Sequence, residues 1–142
     1  MLSSSSRVER RLFQMVVFAA ALVPIAAGAM GMWKGPIMTG GVPAPNVDLD
    51  SHFRYLSGVL LGIGLAFMFC AAGIERRGLL FRTLGLTVVV GGLGRLYGAS
   101  LSGLPGAGHV FGLLMELLVV PALLLWHLKI GRRVGERGVR KF

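Results

Sequence analysis

A chain of 142 residues has room for one domain, and with 54% apolar residues and a mean hydropathy of +0.73 it is too oily for a water-soluble fold of that size. The net charge of +9 does not indicate nucleic acid, because the basic residues gather at the ends of apolar runs and no stacking aromatics alternate with them on a face. The single cysteine, Cys70, lies in an apolar stretch, which excludes an internal disulfide and a cysteine-built metal cluster and leaves the thiol to act as a small hydrophobe.

A hydrocarbon core of roughly 30 Å needs about 20 helical residues to cross it, with every backbone group satisfied inside the segment. Four stretches reach that length, and none shows the two-residue alternation of a barrel strand. The expected fold is therefore all-α: a polytopic membrane protein, one domain over residues 1–142, with four transmembrane helices over residues 12–33, 52–74, 79–101 and 108–129. A basic tail follows over residues 130–142.

Arg7, Arg10 and Arg11 precede the first apolar run, 12–33, which carries no charge and includes Pro24. Its end, Ala26-Ala27-Gly28-Ala29, has the small residues of a signal-peptide cleavage site. The run is longer than a usual signal core, however, so retention as helix one is favoured. The connection from Lys34 to Asp50, with Gly35-Pro36, Gly40-Gly41 and Pro43-Ala44-Pro45, cannot continue a helix and is expected to be an outer loop. Asp50 or Ser51 is the expected N-cap of helix two. Asp48-x-Asp50 is too short a motif to argue a metal site.

Helix two, 52–74, is uncharged from Tyr55 onward, and Arg76, Arg77 and Arg82 surround the turn into helix three. Helix three, 79–101, carries Arg95 towards its far end. A short uncharged connection leads to helix four, 108–129, which contains Glu116 and Pro121. Lys129, Arg132, Arg133, Arg137, Arg140 and Lys141 then close the chain, against only Lys34 and Arg54 on the opposite side. Positive residues resist translocation, so both termini are expected in the cytoplasm and the protein in the inner (plasma) membrane. Trp33, Tyr55 and Tyr97 then fall near the outer interface and Trp126 near the inner one. The tail is expected to lie against anionic lipid headgroups.

Helices in lipid gain little from burying apolar surface, so small residues and a few polar contacts must hold them together. Gly58-x-x-x-Gly62 on helix two and Gly94-x-x-x-Gly98 on helix three, with Gly91 nearby, are the expected smooth faces. They would serve either packing within one chain or a homo-oligomer. Pro24 and Pro121 are expected to bend helices one and four by removing a backbone hydrogen bond, bends that are either architectural or open a cavity.

Charge inside a membrane segment turns inward towards a partner or water. Arg95 and Glu116 fall at similar depth in the outer half and are expected to form an ion pair, with Arg54 close enough to join unless Asp48 or Asp50 neutralises it. His109 shares a helical face with Glu116. His52 and Tyr55 complete the candidate cluster. It is either a structural network or a ligand site, and an anionic headgroup or small anion is one ligand considered. Haem held between His52 and His109 is a further reading, but no cofactor is expected.

The segment Asp50-Ser-His-Phe-Arg-Tyr-Leu-Ser-Gly58 entering helix two, with Gly91-Gly-Leu-Gly-Arg95-Leu on helix three, resembles a bacterial membrane family described as domain of unknown function 4345. The resemblance covers roughly residues 12–130. It implies a four-helix membrane protein with Arg54 and Arg95 in the family pattern, and it implies no activity. The function expected is a non-enzymatic accessory subunit or a binder of lipid or a small ligand. A small transporter or channel is the alternative, prompted by the two prolines and the intramembrane charge.

Overall fold

The computed structural model describes residues 4–39 and 46–139, with side chains described for residues 7–39 and 46–130. The expected loop residues Gly40, Gly41, Pro43 and Pro45, and the tail residues Arg140 and Lys141, lie outside the described residues. The elements in chain order are α1 (Ser4–Lys34), a 3-10 turn (Gly35–Thr39), α2 (Val47–Ala72), α3 (Gly78–Ser102), α4 (Ala107–Leu114), a π-helical turn (Met115–Val119) and α5 (Val120–Val139). There is no strand among the described residues. Four stretches are long and apolar enough to cross a bilayer, Arg7–Thr39, Val47–Ala72, Gly78–Ser102 and Ala107–Ile130. The protein is a multi-pass membrane protein, and its many exposed leucines, valines and methionines are what lipid solvation requires.

The start of α2 lies one turn before the expected Asp50 or Ser51. Asn46 is extended and its side-chain oxygen accepts from the Leu49 amide at 2.7 Å, which places Asp48 and Asp50 in the first turn, where the helix dipole favours negative charge. The chain forms two compact units, one spanning residues 14–74 and the other combining the residues up to Phe13 with those from Glu75 onward.

Within residues 14–74, α1 and α2 run antiparallel along a seam that repeats every seven residues. Gln14, Ala21 and Gly28 on α1, and Gly35 just past its end, meet Ala71, Gly64, Ser57 and Asp50 on α2. The Gln14 amide donates to the Ala71 carbonyl at 2.8 Å, and Ser57 donates to the Phe53 carbonyl of its own helix. A Cβ added at Gly28 would lie 2.6 Å from the Leu61 amide nitrogen and 2.7 Å from the Ser57 carbonyl oxygen. One added at Gly64 would lie 3.0 Å from the Ile25 nitrogen and 3.2 Å from the Ala21 oxygen. Backbone approaches backbone, and only glycine leaves room for it.

The other unit repeats the device. Gly78, Gly85 and Gly92 on α3, also seven apart, receive His127, Leu124, and Glu116 with Leu117. A seven-residue period keeps a seam facing its partner over several turns, because slight supercoiling absorbs the mismatch with 3.6 residues per turn. At one end of this unit the buried Phe13 meets Phe81 and Trp126 edge-on, with ring centroids 5.6 and 5.2 Å apart. His127 lies tilted against Phe81 at 5.2 Å, and Arg10 pairs with Glu75 beside this cluster in sequence.

The glycines chosen from four-residue spacing are therefore not the ones that bring the helices together. Gly62, Gly91, Gly94 and Gly98 have no atom within 4 Å of an added Cβ, and Gly58 meets only the Met32 side chain. Gly28→Ala is expected to lower stability by about 1–3 kcal/mol, since the overlap falls on backbone that cannot rotate away. Gly62→Ala is expected to be neutral or to stabilise by up to about 1 kcal/mol through helix propensity. Thermal unfolding of the two variants in mild detergent checks the contrast.

Candidate functional site

Two arginines of the expected cluster sit in candidate membrane spans, and the two units give them different surroundings. In residues 14–74, Arg54 lies two turns into α2, opposite the end of α1. Its Nε donates to Asp50 Oδ2 at 2.7 Å and its Nη2 to Asp50 Oδ1 at 3.2 Å. Its Nη1 donates to the Met32 and Trp33 carbonyls at 2.6 and 2.9 Å. The last carbonyls of a helix have no partner within it, so Arg54 closes α1 while Asp50 neutralises it, as the sequence allowed. Gly35 makes this possible: it has φ +65°, and an added Cβ would lie 2.6 Å from Arg54 Nη2 and 2.7 Å from Asp50 Oδ1. All three guanidinium nitrogens are engaged, and the group is a clasp between α1 and α2.

In the other unit, Arg95 lies on the α3 seam three residues after Gly92 and faces Glu116. The Nε donates to Oε2 and the Nη2 to Oε1, each at 3.0 Å, so the ion pair expected from depth alone is present and is bidentate. The side chains are 31% and 15% exposed. Each glycine beside the pair has a separate role. A Cβ at Gly92 would lie 2.8 Å from Glu116 Cβ and from Leu117 Cδ2, so this glycine admits the carboxylate-bearing helix. A Cβ at Gly112 would lie 3.9 Å from Arg95 Cζ, in ordinary contact.

Glu116 stands in the π turn Met115–Val119, where the Val120 amide donates to the Met115 carbonyl, five residues back. The turn lies just before Pro121, where the sequence leads to the expectation of a bend. Proline supplies no donor, and its ring crowds the carbonyl one turn earlier in a regular helix; a widened turn just before it relieves that crowding. By contrast, Pro24 is accommodated inside α1, which continues through it. π turns are rare and concentrate at functional sites, and this one has no four-residue or seven-residue pattern by which sequence reading could find it.

His109, on α4, is half-buried and makes no side-chain hydrogen bond among the described residues. It shares the face of Gly112 and Glu116 by spacing. His52 and Tyr55 are exposed and make no side-chain hydrogen bond among the described residues either. No group of three or more histidine, cysteine, aspartate or glutamate side chains is placed to hold a metal ion among the described residues. Sequence reading missed the Arg10–Glu75 pair and the aromatic cluster of Phe13, Phe81, Trp126 and His127, because their partners are far apart in the chain.

The family model for the domain of unknown function DUF4345 matches residues 12–127. The chain belongs to that family, and the matched region contains both arginine sites. No curated protein and no solved structure matches the chain significantly.

Removing either partner of the Arg95–Glu116 pair leaves a charge uncompensated in a membrane span, at a cost of about 3–5 kcal/mol. Arg95→Ala and Glu116→Ala are each expected to show that loss, and the double variant clearly less than their sum. A double-mutant cycle on unfolding in detergent measures the coupling. Gly92→Ala is expected to destabilise by about 1–3 kcal/mol in the same assay, by driving Glu116 and Leu117 away from α3.

Proposed function

We propose that this protein is a non-enzymatic component of the inner (plasma) membrane of a bacterial cell, with both termini in the cytoplasm, that holds a lipid or small amphipathic molecule at the Arg95–Glu116 pair. The observation that carries this reading is the bidentate pair itself, partly exposed inside two candidate spans and seated on a π turn. A polar group kept at that depth is expensive, and such groups usually face a partner, a ligand or a pathway.

The surrounding residues support binding over chemistry. Arg95 and Glu116 neutralise each other, and both carboxylate oxygens are already engaged by the guanidinium. The charge asymmetry of the chain supports the orientation: arginines occupy the opening turns of α1 and flank the start of α3, and basic residues follow the fourth span. Transport is the second reading, and Pro121 beside the π turn is what favours it.

Reporter fusions at either end are expected to be active only as cytoplasmic reporters. Native mass spectrometry of gently purified protein is expected to show a retained lipid or small amphiphile. Periplasmic termini would overturn the orientation, and protein that consistently emerges bare would overturn the binding role.

A further inference from the structure

The guanidinium of Arg95 has five N–H donors, and Glu116 takes one from Nε and one from Nη2. Both N–H groups of Nη1 and the second of Nη2 have no acceptor among the described residues. Nη1 is not among the buried unpartnered atoms, so this edge is open to what surrounds the protein. Arg95 lies seven residues before the end of α3 at Ser102, or on the order of 10 Å along the helix. At that depth water is scarce and an unpaired donor is costly.

We propose that the free edge of Arg95 is a binding site for a neutral carbonyl oxygen carried on an apolar body, such as an acyl ester or a lipophilic quinone. This rests on the binding role proposed above and names the chemistry of the ligand. The pair decides against an anion: Glu116 already compensates Arg95, and a second negative charge at the guanidinium would lie close to that carboxylate in a medium that screens little. Donors without net charge to offer select a neutral acceptor. Gly112 leaves the approach unfilled, because an added Cβ would only reach ordinary contact with Arg95 Cζ at 3.9 Å and Nη2 at 4.0 Å. On the same helical face, three residues earlier, His109 stands about 4–5 Å farther along the axis, positioned to meet a second polar group of the same molecule.

The test uses the full chain, delipidated in detergent and reloaded with one probe at a time: a diacyl ester phosphatidylcholine, its dialkyl ether analogue, a short-tailed benzoquinone, or an anionic ether lipid. Binding is read by native mass spectrometry and titration. The ester lipid, the benzoquinone or both are expected to bind one per chain, and which of them binds identifies the carbonyl source. The ether lipid is expected to bind at least about tenfold more weakly, the worth of one hydrogen bond to a charged donor. Gly112→Leu covers the open edge while keeping both members of the ion pair, and Arg95→Lys keeps the pair but loses the planar fork. Each is expected to weaken binding about tenfold or more, while Gly112→Leu leaves thermal stability near that of the parent. Glu116→Gln is expected to reverse the preference towards the anionic lipid.

Equal binding of ester and ether lipids with no tighter binding of the benzoquinone, preference of the parent protein for the anionic lipid, or loading unchanged in both Gly112→Leu and Arg95→Lys would overturn the proposal. Loading of the parent and both variants alike would do so while leaving the binding role intact. A parent chain that holds no amphiphile, either as purified or after loading, would overturn both.

Discussion

Close approach of helix backbones along seams of small residues is the constraint on which the rest of this protein depends. In lipid, a leucine gains nothing by leaving its solvent for a neighbouring helix, so association must come from contact density and from polar groups that find no partner in the hydrocarbon. The α1–α2 seam and the α3–α5 seam answer this in the same way, each with glycine, alanine or serine at most of its seven-residue positions. At Gly28 the opposing atoms are backbone, at Gly64 they are backbone and the Ile25 side chain, and at Gly85 the Leu124 side chain fills the space that a Cβ would need. The large side chains are thereby left outside for lipid to solvate.

The seams also decide what each arginine can do. Asp50 and Gly35 lie on the α1–α2 seam, and Arg54 reaches across it, giving two donors to the final carbonyls of α1 and two to Asp50. Arg95 lies within the α3 seam and meets one carboxylate, which takes two of its five donors. Two residues of identical chemistry in similar membrane settings thus differ in function. Arg54 has four of its five donors engaged, and Arg95 keeps an edge of three that nothing in its own unit satisfies.

Much of this was legible in the residues. The four spans followed from length and hydropathy, and the Arg95–Glu116 pair followed from placing two opposite charges at one depth. The packing glycines did not, because four-residue spacing is conspicuous locally whereas a seven-residue seam shows only when the partner helix is in register beside it. Gly94 and Gly98 look like a contact motif and meet nothing within 4 Å, while Gly92, two residues earlier, meets Glu116. The cap of α2 was misplaced for a related reason: Asp50 has cap chemistry, but it is already engaged by Arg54, and Asn46 performs the capping one turn before. His52 and Tyr55, expected in the same outer cluster, are exposed on α2 and make no side-chain hydrogen bond among the described residues.

The π turn explains how the fourth span can carry both a seam and a polar site. A regular helix would hold Glu116, Leu117 and Leu124 to one rotational register, and Pro121 would break a hydrogen bond within it. Inserting one widened turn at Met115–Val119 shifts the register between α4 and α5. Leu124 and His127 then stay on the glycines of α3 while Glu116 is delivered to Arg95. The residues on the two sides of the turn therefore have separable tasks. Those after it are committed to packing, and those before it, Gly112 and His109, are freed from the seam and left beside the unsatisfied edge of the guanidinium. A site held this way is organised before any ligand arrives, because the backbone contacts below it fix the pair in place, and a ligand that meets those donors does not first have to order them.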